Sequence, residues 1–258
     1  MPTVSVRDIA LYYEAHGRSD GEPLVLLHGF NARGQRMLDL HLPHFGGRYR
    51  LIVPDWRGHG RTTNPAGAIH HAELARDLAA FAGALGLRRA HFCGHSSGGM
   101  QLLFLALERP ELVHTLTLSS ATYIFDAHAQ ARVRERAANA LAQQAQLRQS
   151  GQAREGEAAD WEQRRRLIEQ WAESVQRPGE LPFTPDDLRA IRCPTLIVHG
   201  DRDVFFPVHI PVTMYRAMPE AELCILPRCG HGGPYQSPII YTAALREFLA
   251  RNPLPAGD

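Results

Sequence analysis

Gly94-His95-Ser96-Ser97-Gly98-Gly99 follows the short apolar run Ala90-His91-Phe92-Cys93 and precedes Met100 to Glu108, a stretch apolar on nearly every face. Strand, tight turn, helix is the order of a nucleophile elbow, where G-x-S-x-G holds a serine hydroxyl up into a cleft. Glycines are required two residues before and after the serine because the crowded backbone leaves no room for a Cβ. The pentapeptide alone recurs in ordinary loops. The strand before it and the buried helix after it make Ser96 a candidate nucleophile.

Outward from the elbow, further short apolar runs read as strands. Pro23 to Leu27 runs into the loop His28-Gly29-Phe30. Arg50 to Asp55 is closed by the glycine-rich turn Arg57-Gly58-His59-Gly60-Arg61. Val113 to Ser119, Pro194 to His199 and Glu222 to Leu226 continue the series, and Val4 to Glu14 supplies one or two edge strands. Between them, Ile69 to Leu85 has apolar residues at helical spacing (Leu74, Leu78, Phe81, Leu85), and Ile239 to Leu249 forms a closing helix. Such alternation predicts an α/β fold with a mainly parallel central sheet flanked by helices on both faces.

The rhythm breaks between residues 124 and 185, where no strand is readable and Asp126 to Gln149 and Glu157 to Val175 both read as helices. The expected organisation is a core of residues 1–123 and 186–258 with a helical lid, residues 124–185, inserted between two strands. The lid arginines Arg132, Arg134, Arg136, Arg164, Arg165 and Arg166 read as a solvated face, with a homodimer contact or an anion-binding role as the alternatives.

The 258 residues are 44% hydrophobic and 21% charged with a net charge of +1, which suits one sizeable domain and argues against nucleic acid or an anionic membrane as partner. Met1 to Asp8 has no basic segment leading into an apolar core, and no apolar run approaches bilayer length, so a cytoplasmic protein without membrane contact is expected. Cys93, Cys193, Cys224 and Cys229 show no metal-ligand spacing and read as reduced, buried thiols. No Walker or dinucleotide-binding pattern is present, and neither cofactor nor metal is expected.

A serine hydroxyl needs a base beside it and a third group to hold that base. Arg228-Cys229-Gly230-His231-Gly232 supplies a late histidine. Val198-His199-Gly200-Asp201-Arg202-Asp203, followed by Pro207, supplies an acid between serine and histidine. With His28-Gly29-Phe30, Asp55-Trp56-Arg57-Gly58-His59-Gly60 and the elbow, these segments resemble the α/β-hydrolase superfamily over nearly the whole chain.

The resemblance implies Ser96 as nucleophile, His231 as general base and Asp203 as orienting acid. Asp201 is then a structural hydrogen-bonding residue of the loop, and Asp126 is a further candidate for the acid. It implies an oxyanion hole built from the N–H groups of Ser97 and Phe30, the Phe30 ring either walling the pocket or packing in the core. His28 and His59 are expected to hold backbone hydrogen bonds. His95 either fixes the elbow or lines the pocket. Trp161 and Trp171 either close over a substrate or anchor the lid.

Serine at the elbow disfavours the dehalogenase and epoxide hydrolase branches, which carry aspartate there, and no large extra domain suggests a peptidase. The compact size is similar to the enol-lactonases and small carboxylesterases. The leading expectation is hydrolysis of a small-molecule carboxylic ester or lactone through an acyl-Ser96 intermediate. Carbon–carbon bond hydrolysis or perhydrolase activity on the same triad is the second reading. A non-catalytic ligand receptor of the same fold is the third.

Overall fold

The computed structural model describes residues 2–149 and 158–255. Eight strands form one sheet: β1 (Thr3–Val6), β2 (Ile9–Gly17), β3 (Glu22–Leu27), β4 (Tyr49–Pro54), β5 (Ala90–His95), β6 (Val113–Ser119), β7 (Thr195–Gly200) and β8 (Ala221–Leu226). Their spatial order is β1-β2-β4-β3-β5-β6-β7-β8. β1 and β2 pair antiparallel, as do β2 and β4, and every later pairing is parallel. The chain steps from β3 outward to β4 and then crosses back to β5 on the other side of β3. That reversal opens a crevice at the carboxyl ends of β3 and β5, where ligands bind in open α/β sheets.

The helices are α1 (Gly34–Phe45), α2 (His71–Ala84), α3 (Ser97–Glu108), α4 (Ala127–Gln149), α5 (Ala158–Ser174), α6 (Pro185–Leu188), α7 (His209–Ala217), α8 (Gly233–Gln236) and α9 (Pro238–Arg251). One sheet face buries Phe81 of α2, Leu102 and Leu103 of α3 and Met214 of α7 against Val25, Phe92, Leu116 and Ile197. The opposite face buries Met37 and Phe45 of α1 and Tyr241, Leu245 and Phe248 of α9 against Leu24, Leu26, Leu51 and Val198. Residues 97–106 of α3 are buried throughout, so its unbroken apolar sequence is that of a helix enclosed on every side. Among the described residues no helix is long and apolar enough to cross a membrane. All four cysteines are free, Cys93 and Cys229 being buried.

Between β6 and β7 the chain forms α4, α5 and α6. The start expected at Glu157 for the second of these helices lies outside the described residues. Gln163 of α5 donates to the carbonyls of Gly58 (3.2 Å) and Gly60 (3.1 Å), and Leu167 packs with Trp56, Ile69 and Leu74. Beyond α5, the buried Glu180 carboxylate accepts from the His71 N–H at 2.8 Å, His71 Nδ1 at 2.6 Å and Arg177 at 2.9 Å.

Burial alone would raise the Glu180 carboxyl, but the bonds from His71 and Arg177 outweigh it and bring it down to about 2. Its folded value therefore lies below the ordinary value of 4.5, and its contribution to stability is complete above that pH and fades as pH falls towards 2. Glu180→Gln is expected to lower unfolding free energy by about 2–4 kcal/mol at pH 7. In urea titrations that gap should shrink at pH 3; an unchanged gap contradicts the anchor.

Candidate active site

Ser96 stands between β5 and α3 with φ 53° and ψ −121°, a left-handed conformation forced on a non-glycine residue. The turn is possible because of its glycines. A Cβ on Gly94 would lie 2.4 Å from the Gly98 carbonyl, and one on Gly98 would lie 2.4 Å from the Leu27 carbonyl oxygen. α3 therefore presses its first turn against both β5 and the end of β3, and Ser96 projects over the crevice between those strands.

His231 follows β8 on the loop before α8, and its Nε2 lies 2.9 Å from Ser96 Oγ. Its Nδ1 lies 2.8 Å from Asp203 Oδ2, on the loop after β7. The other Asp203 oxygen accepts the Phe205 and Phe206 N–H groups at 2.9 and 3.2 Å. Burial works to raise this carboxyl, but His231, His199 and the Phe205 N–H hold it below the usual carboxylate range, so it is ionised. An ionised carboxylate only accepts, which makes Nδ1 the protonated nitrogen of His231 and leaves Nε2 to accept from the serine.

The alternative acids are engaged elsewhere. Asp201 accepts the Cys229 N–H at 3.1 Å and ties the β7 loop to the histidine loop. Asp126 accepts the Ala129 N–H at 2.8 Å at the start of α4.

The loop after β3 is fixed by two buried histidines. His28 Nδ1 donates to Gly29 O at 2.8 Å, and His59 Nδ1 donates to Arg57 O at 3.1 Å. His59 Nε2 accepts the Asn31 N–H at 3.0 Å, and Trp56 Nε1 donates to His28 O at 2.9 Å. Burial brings His28 down to about 4 and His59 well below its ordinary value, so both stay neutral with a lone pair free to accept. This network fixes the loop that carries Phe30, whose neighbour Gly29 packs so close to Ser96 that an added Cβ would lie 3.3 Å from Ser96 Cβ. Neither the Phe30 N–H nor the Ser97 N–H is spent on another group among the described residues.

A cavity of about 560 Å³ opens over Ser96 and His231, walled by Phe30, His95, Trp171 and Phe205. The Phe30 ring stacks on Trp171 at 6.0 Å between centroids and meets Trp56 edge-on at 5.5 Å, so it both lines the cavity and joins a core cluster. Trp171 also touches Phe205 at 5.8 Å, which places α5 directly over the site. His95 lies 5.4 Å from the His231 ring, and burial, with His231 and Arg36 adding, holds it neutral.

Trp161 is not in this group. It lies ten positions earlier on α5, far enough along the helix axis to miss the cavity lining, and its carbonyl accepts from Gln144 at 2.8 Å. Phe205, Tyr235 and Arg36 are wall or support residues that the sequence did not single out. Phe205 had a signal, two residues after Asp203 in an apolar triplet. Arg36 had none, being one exposed arginine among many. No group of metal-ligating side chains occurs among the described residues.

The Alpha/beta hydrolase family model matches residues 24–245. The chain belongs to that family. A protein of Caulobacter sp. (strain K31) named "Putative carbamate hydrolase RutD" is 29% identical to this hydrolase over 266 residues, covering 93% of this chain and 96% of the relative. A 2-hydroxy-6-oxo-6-(2'-aminophenyl)hexa-2,4-dienoic acid hydrolase of Metapseudomonas resinovorans is 26% identical over 252 residues, covering 90% of this chain and 85% of that one. Among solved structures, Est816, described as an N-acyl homoserine lactone degrading enzyme, superposes with a TM-score of 0.77 at 27% identity, over 96% of this chain and 100% of its own. These relatives of the hydrolase cleave different bonds, so family membership leaves its substrate open.

Proposed function

We propose that this protein is a serine hydrolase that cleaves a small carboxylic ester or lactone through an acyl-Ser96 intermediate. The observation carrying the proposal is the continuous relay from Ser96 Oγ to His231 (2.9 Å) and on to Asp203 (2.8 Å) at the floor of the cavity. Ser96 Oγ attacks the carbonyl carbon while its proton passes to His231 Nε2. The oxyanion forms within reach of the Phe30 and Ser97 N–H groups, each such donor being worth about 3 kcal/mol of barrier. His231 returns the proton to the leaving alkoxide, and a water activated by the same nitrogen then hydrolyses the acyl-enzyme.

In this reading Trp171 and α4–α5 act as a lid that keeps bulk water off the acyl-enzyme, and the lactone-degrading likeness of Est816 supports the ester or lactone choice. The dienoic acid hydrolase supports a second reading, carbon–carbon bond cleavage by the same residues. Turnover of p-nitrophenyl butyrate and a small lactone, compared with that of a 2-hydroxy-6-oxo-dienoate, decides between them. Turnover of the dienoate alone overturns the first reading.

The assignment of the acid has its own test. Asp203→Asn, which cannot hold His231 in the required tautomer, should lower kcat by about 10⁴-fold. Asp201→Asn and Asp126→Asn keep an accepting oxygen for their backbone partners and should stay within about 10-fold of wild type. Steady-state kinetics on p-nitrophenyl butyrate reads all three.

A further inference from the structure

Among the described residues, three arginines and one glutamate line the cavity over Ser96. Arg132 is spent on that glutamate, Glu135, one turn along α4 at 2.5 Å. Arg136, on the same helix, has no carboxylate partner among the described residues. Arg36, on α1 at a different wall, has none either. Its guanidinium lies 4.1 Å above the ring of Tyr235, which in turn meets His95 edge-on at 5.5 Å. The Arg36 charge adds to burial in keeping His95, the residue before Ser96, neutral.

A guanidinium parked on an aromatic face is positioned while its N–H fork stays available to a carboxylate. Around it Phe30, Trp171, Phe205 and Ile168 give the cavity apolar walls for a carbon skeleton. Two cations without carboxylate partners beside apolar walls, with the only lining acid among the described residues already neutralised, favour a ligand that is hydrocarbon in the middle and anionic at one end.

We propose that the substrate carries a carboxylate remote from the scissile carbonyl, held by Arg36 with Arg136 adding positive potential at the cavity wall. The proposal deepens the ester or lactone reading and rests on it for turnover, though not for binding.

The test pairs two acyl esters of equal chain length, 4-nitrophenyl pentanoate and mono-4-nitrophenyl glutarate, and reads the ratio of their kcat/KM values. Wild type should favour the hemiglutarate by about 10-fold. Arg36→Gln should collapse that ratio, Arg36→Lys should restore part of it, Arg136→Gln should reduce it, and 0.5 M NaCl should shrink it by screening. A wild-type preference for the neutral ester, or a ratio that Arg36→Gln leaves untouched, overturns the proposal. Calorimetric binding of glutarate against pentanoate to Ser96→Ala, with and without Arg36→Gln, separates the two failures. If neither ester is turned over but glutarate binds at least 10-fold more tightly through Arg36, the ester reading fails and the anion site stands. If glutarate binds no better than pentanoate, the anion site fails whatever the kinetics show.

Discussion

Replacing Ser96 by alanine is expected to lower kcat for p-nitrophenyl butyrate by about 10⁴- to 10⁶-fold while leaving the protein folded. In the proposed mechanism the hydroxyl removed supplies the oxygen that forms the acyl bond, so its loss cannot be made up by binding. The substitution is also gentle on structure. Ser96 Oγ bonds to His231 across the site, and the left-handed backbone at φ 53° is as unfavourable for serine as for alanine. The change in unfolding free energy should stay within about 1 kcal/mol. His231→Ala should cost a similar factor in kcat, and the double variant little more than either single one, because the two groups act in one step. Rates that multiply in the double variant would mean that Ser96 and His231 act independently.

Gly98→Ala is expected to cost more than about 4 kcal/mol of stability or to prevent folding. The new Cβ would meet Leu27 O at 2.4 Å, His28 O at 2.7 Å and Leu27 C at 2.9 Å. All three are backbone atoms at the end of β3, locked in the centre of the sheet, so no side chain can swing aside. The strain would lift α3 from β3 and pull the Phe30 loop away from Ser96, so any folded remnant should lose activity as well. Gly83→Ala is the matched control. It lies inside α2, its Cβ would meet nothing within 4 Å, and it should stabilise the protein by about 0.5–1 kcal/mol. Urea midpoints for the two variants read the contrast directly, and equal midpoints would contradict the packing described for the elbow.

The fold was legible where burial dictates composition. β3 and β7 are covered on both faces, so each carries an unbroken apolar run, Leu24 to Leu27 and Leu196 to Val198, and α3 declares itself by being apolar on nearly every face. α1 and α7 left no comparable trace. α1 starts at Arg33 without a side-chain cap and carries Pro43 in its last turn, and α7 is nine residues long with Pro211 inside it. Both fold because the sheet offers them an apolar surface, a cause that local sequence does not carry.

Ser96, Asp203 and His231, which the structure brings within hydrogen-bond distance, each sit in a loop whose glycines or neighbouring acids are unusual in the sequence. Of the cavity walls, Phe30, His95 and Trp171 are candidates by sequence, whereas Phe205 and Arg36 are not. Whether Trp161 or Trp171 faces Ser96 depends on how far along α5 each lies, and no spacing rule fixes a helix's position over a site. Arg36 reaches the cavity only because α1 leans against Tyr235, a contact between residues 199 positions apart in the chain.

Intact mass after treatment with a fluorophosphonate, on wild type, Ser96→Ala and His231→Ala, addresses the activated nucleophile itself without presuming a substrate. The relay at 2.9 and 2.8 Å predicts one adduct on wild type, formed at the rate at which ester turnover is lost. It predicts none on Ser96→Ala and slow, partial labelling on His231→Ala. An adduct that persists on Ser96→Ala, or labelling of wild type no faster than of His231→Ala, would contradict the assignment of Ser96 as the nucleophile that His231 activates.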